Sequence, residues 1–75
     1  MDRIQVTSKN IKSVGYDSQS KTLQVEFLTG SIYEYYDVPN DVFDKFITAE
    51  SKGTFFHKYI KNGGYKYRKL EGENR

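Results

Sequence analysis

The stretch TLQVEFLTGSIYEYYDVP, residues 22–39, restricts the fold more than any other part of the chain. Leu23, Val25 and Phe27 alternate with Thr22, Gln24 and Glu26, the two-residue period of a strand with one buried and one solvated face. Residues 31–36 alternate as well, with Tyr33 and Tyr35 on one side and Ile32, Glu34 and Tyr36 on the other. Thr29-Gly30 between the two runs signals a tight turn, so the pair reads as a β-hairpin. At Val38-Pro39 the period changes. Pro39 suits a first helical turn, Asp41 and Asp44 favour a helix N-terminus, and Val42, Phe43, Phe46, Ile47 and Ala49 give an apolar stripe at helical spacing.

The flanks extend this plan. IKSVGY (11–16) reads as a third strand, joined to the hairpin through the turn formers Asp17-Ser18-Gln19-Ser20. Val14 and Tyr16 share a face that excludes Ile11, so either a bulge lies near Ser13 or Ile11 precedes the regular strand. Ser51 can cap a second, shorter helix carrying Phe55, Phe56, Tyr59 and Ile60, and Asn62-Gly63-Gly64 ends it. Residues 65–70 have the pattern of a short C-terminal strand. The expectation is an α+β fold: a three-stranded antiparallel meander packed on one face by two helices. Leu23, Val25, Phe27, Tyr33 and Tyr35 should meet Val42, Phe43, Phe46 and Ile47.

Seventy-five residues make one domain, read as 8–70, with 1–7 and 71–75 as flexible termini. With no cysteine and one histidine, neither a disulfide nor a zinc site can staple so small a core, and five Phe and seven Tyr must supply the packing. No apolar run approaches a membrane span and the N-terminus has no signal-like segment, which fits a soluble cytoplasmic protein without membrane contact. No cofactor is implied.

Charge is unevenly spread. Residues 1–51 hold five Lys or Arg against eight Asp or Glu, whereas 52–69 hold six Lys or Arg and no acid. Catalysis finds little support: His57 has no evident orienting partner, Ser20 and Ser51 show no sign of activation, and Asp41 and Asp44 are explained as helix-start residues. Gly63-Gly64-Tyr65-Lys66 lacks the spacing of a phosphate loop. The sheet face opposite the core carries Gln24, Glu26 and Glu34, whose carboxylates repel phosphates, so base stacking there is not expected. The remaining candidate is FFHKYIKNGGYKYRK, residues 55–69. Its rings read as core, while Lys58, Lys61, Lys66 and Arg68, with Lys69 and His57 beside them, are either a patch able to contact phosphates or a solvated cationic rim that binds nothing specific.

SVGYD (13–17), TLQVEF (22–27), YEYYDVP (33–39), AESKGTFF (49–56) and YIKNGGYKYRKL (59–70), in this order, resemble the KTSC domain. That family takes its name from the C-terminus of some lysyl-tRNA synthetases and also occurs as small stand-alone proteins. Gly15, Tyr16, Asp17, Pro39, Ser51, Gly53, Phe56, Ile60, Tyr65 and Tyr67 match the family pattern in type. Lys58, Lys61, Arg68 and Lys69 stand where it favours Lys or Arg. His57 replaces its usual Asn, and Lys66 its usual Pro. The resemblance implies a module that binds nucleic acid, RNA or another single strand; joined to the reading of the residues, it gives the expectation of a non-enzymatic domain that binds through residues 57–69. The alternative is an adaptor that docks onto an acidic protein partner.

Overall fold

Five antiparallel strands lie side by side in chain order: β1 (Arg3–Gln5), β2 (Ile11–Asp17), β3 (Thr22–Phe27), β4 (Ile32–Tyr35) and β5 (Tyr67–Glu71). The computed structural model describes residues 3–6 and 8–71. The expected three-stranded meander is therefore its centre, and a strand is added at each edge. β1 arises within residues 1–7, where the sequence predicts a flexible terminus; Arg3, Ile4 and Gln5 pair with Gly15, Val14 and Ser13. Three residues are too few to display an alternating pattern, so its pairing comes from the exposed edge of β2. β5 covers the other edge, with Tyr67 opposite Tyr35 and Lys69 opposite Tyr33, and reaches Glu71. Met1, Asp2, Thr7 and the tail 72–75 lie outside the described residues.

The central hairpin follows the alternation. Leu23 pairs with Tyr35 and Val25 with Tyr33, which puts all four on one face. The phase conflict in β2 is resolved by a bulge: Ile11 faces Phe27, Ser13 faces Glu26, and Lys12 is the extra residue. Ile11 and Val14 thereby both reach the core, fully buried.

Between β4 and β5 the chain forms helix α1 (Asn40–Thr48) and then α2 (Lys52–Phe55), which runs on into a π-helical segment, Phe56–Lys61. Pro39 caps α1 without a side-chain bond, and its carbonyl accepts from Val42 and Phe43. Tyr16 fixes this junction from the sheet: its hydroxyl donates to the Val38 carbonyl and its ring stacks on Phe43 at 4.5 Å. Ser51 caps α2, its hydroxyl accepting from the Thr54 amide at 3.4 Å. Phe46, Phe56 and Ile60 descend onto Ile11, Val14, Leu23, Val25, Tyr35 and Val38 to complete the buried core. Phe27, Tyr33, Val42, Phe43 and Ile47, expected inside, pack around it half-buried.

The opposite sheet face is a polar lattice. Arg3 donates to Gln24 and lies 3.6 Å from Glu26, Gln24 donates to Glu34, and Tyr36 donates to Glu34 at 2.8 Å. These bonds, that from Gln24 first and then that from Tyr36, hold the Glu34 carboxyl below the usual carboxylate range.

Candidate functional site

The helices leave part of the sheet's inner face open. Phe27, Tyr33, Tyr35, Phe56 and Tyr67 form the floor of a cleft there. One wall is built by the loops before β2 and after β3, including Lys9 and Leu28; the other is the π-helical segment with His57, Lys58 and Lys61. The space is open and about 1030 Å³, roomy beside the roughly 300–1,000 Å³ of small-molecule pockets. Among the described residues, no Asp or Glu lines it.

Local chemistry holds both walls in place. Ser8 Oγ accepts from the amides of Asn10 and Ile11, turning the chain into β2. Gly53 lets α2 approach that turn, since a Cβ there would sit 3.3 Å from Asn10 Nδ2. At the far end Asn62 donates its side-chain amide to the His57 carbonyl at 2.8 Å, tying off the π-helical segment. Gly63 then turns where no side chain fits: a Cβ would lie 2.2 Å from the Tyr59 carbonyl oxygen.

The floor is a chain of rings. Phe56 meets Phe27 and Tyr35 edge-on at 5.3 and 5.5 Å, and Tyr35 stacks on Tyr67 at 5.3 Å. Burial pushes the Tyr35 hydroxyl up to about 12, with Tyr67 and Tyr33 adding to the shift.

The six residues picked out in the sequence do not form one patch. His57, Lys58 and Lys61 line the cleft together. Lys69 of β5 is not part of that lining, but its ammonium lies 5.9 Å from the centre of the Tyr33 ring, which belongs to the floor. Arg68 points to the other sheet face, where it lies 3.9 Å from Glu34. Lys66 precedes β5 and stands outside the cleft lining. Lys52, the remaining cation of the basic stretch, donates to the Ala49 carbonyl. Sequence reasoning missed Lys9, which lines the cleft from the loop before β2, and misjudged Tyr59 and Tyr67, which are 55% and 60% exposed instead of core. Tyr67 was legible as inward-facing, but not as uncovered.

A five-stranded meander with a helical insert before its last strand, carrying a basic cleft floored by rings, defines a small α+β domain. The KTSC domain model matches residues 7–67, and the chain belongs to the KTSC family. It is 48% identical over 60 residues to a lysine–tRNA ligase of Trichormus variabilis, a match covering 80% of this chain and 10% of the ligase. A protein of Stutzerimonas stutzeri is 34% identical over 71 residues, covering 95% of this chain and 100% of that one. The crystal structure of a KTSC domain protein from Yersinia pestis has the same fold, with a TM-score of 0.85 at 37% identity over 93% of this chain and 97% of that one. The chain thus spans about a tenth of the length of the ligases it matches.

Proposed function

We propose that this domain is a non-enzymatic nucleic-acid-binding module, with RNA as the favoured ligand, and that the cleft is its binding surface. The observation that carries this reading is the cleft's composition: lysines on both walls, rings on the floor and no carboxylate among its described lining residues. Phosphates would find Lys9, Lys58 and Lys61 there, with Lys69 beside them. Arg68 contributes less, because Glu34 already faces it. The preference for RNA draws on the relatives, since the ligases that share this segment are named for a tRNA.

Three or four phosphate contacts on a single strand correspond to a log–log salt slope of about −2 to −3. Titration with an oligouridylate, followed by amide NMR at two salt concentrations, tests this. Shifts should gather at 9–10, 27–29, 53–62 and 67–69 and weaken with salt at that slope. An unchanged spectrum at low salt would overturn the proposal. If an acidic protein bound the same cleft while RNA did not, the adaptor reading would take its place.

A further inference from the structure

We propose that Tyr67 is a stacking platform for one unpaired base, so that the cleft prefers single strands to duplex. This deepens the nucleic-acid reading and rests on it. Tyr67 lies 5.3 Å from Tyr35 with their planes 28° apart, so one ring face is spent on that stack. Tyr35 is only 3% exposed, which seals the inner end, whereas Tyr67 is 60% exposed. The stack therefore stops at a ring that faces water. Tyr33 flanks it at 6.0 Å, and the Lys69 ammonium lies over Tyr33, leaving Tyr67 as the accessible ring of the group.

A nucleobase would extend this column by one member. Every base has a π-face, so such a contact tolerates sequence, and it complements lysines that read only phosphate. A base inside a duplex already stacks on both sides and would have to be extruded to reach Tyr67, which penalises double strands. Tyr59 supplies the contrast. It is 55% exposed but leans on Phe55 at 4.7 Å and does not line the cleft.

Fluorescence anisotropy with a labelled oligouridylate of about ten nucleotides, within the usual footprint of one small domain, and with a blunt-ended, loop-free RNA duplex tests the proposal. The single strand should bind more tightly than the duplex by about tenfold or more. Tyr67→Ala should weaken single-strand binding about 5- to 150-fold, the equivalent of one lost base–aromatic stack, without changing the salt slope. Tyr67→Phe, which keeps the ring, and Tyr59→Ala should both stay within about twofold. Full affinity in Tyr67→Ala, or equal affinity for duplex and single strand, would overturn the stacking role. If Lys58→Gln or Lys61→Gln still weakened binding in that case, the nucleic-acid reading would survive it. No binding of either RNA by the unmodified protein would overturn both.

Discussion

Tyr35 joins the fold to the cleft, because the ring that closes the core under Phe56 also carries Tyr67. Its phenol is held protonated by burial, up to about 12 against an ordinary value of 10.0. A group whose proton is bound more tightly in the folded state stabilises the fold fully below its unfolded pKa. That contribution is lost as pH rises through the folded value, so the sensitive window is 10 to 12. Denaturant titrations across it should show stability falling more steeply in the unmodified protein than in Tyr35→Phe. The difference should reach on the order of 2 kcal/mol near the upper end. Among the described residues the Tyr35 hydroxyl has no hydrogen-bond partner, so the Phe variant keeps the packing. Tyr16, raised by burial and then by Asp44, Asp41 and Asp17, steepens both curves alike. Identical alkaline limbs would show that Tyr35 does not set them.

At the scale of elements, the π-helical segment Phe56–Lys61 presents the cleft's lysines, and Gly63 sets where it ends. A methyl at Gly63 meets the Tyr59 carbonyl oxygen at 2.2 Å and the Tyr65 ring at 2.9 Å, and the first neighbour is backbone that cannot swing aside. Gly63→Ala should therefore cost about 1–3 kcal/mol in a thermal or denaturant melt, as overpacking does. A melt equal to the unmodified protein's would mean that the turn relaxes freely. Ser51 and the glycine pair made the ends of this helix legible in the sequence. The π geometry was not, because Phe55, Phe56, Tyr59 and Ile60 suit an ordinary helix equally well. In the sheet, the β3–β4 hairpin and the β2 bulge follow from alternation and its single break. β1 is too short to leave a pattern. Alternation also placed Tyr67 on the inner face correctly, yet a strand's period tells which way a side chain points and not whether a helix lies above it. Lys9 lines the cleft across from residues far along the chain, a juxtaposition that local spacing does not encode.

Across the whole molecule, the basic cleft and an acidic pole occupy opposite ends of the β2–β3 hairpin. The cleft reaches Ile11 and Phe27, which pair at one end, while Asp17 pairs with Thr22 at the other. Asp41 and Asp44 of α1 join Asp17 around Tyr16, where their charges act on its phenol. Seven residues of β2 separate the poles by about 20 Å, in a molecule whose longest extent is 32 Å. The screening length decides whether an approaching polyanion senses both. It is about 8 Å at physiological salt, so the cleft acts alone, and about 30 Å at 0.01 M, where the acidic pole opposes it. Replacing the α1 acids (Asp41→Asn with Asp44→Asn) should therefore speed oligouridylate association by a few-fold near 0.01 M salt and leave it unchanged near 0.15 M. Stopped-flow anisotropy at the two salts reads the difference. The set of shifted amides should stay the same, because the field steers the encounter without adding a contact. An acceleration that persisted at the higher salt would instead place α1 in direct contact with the RNA, and the binding surface would have to be redrawn around that helix.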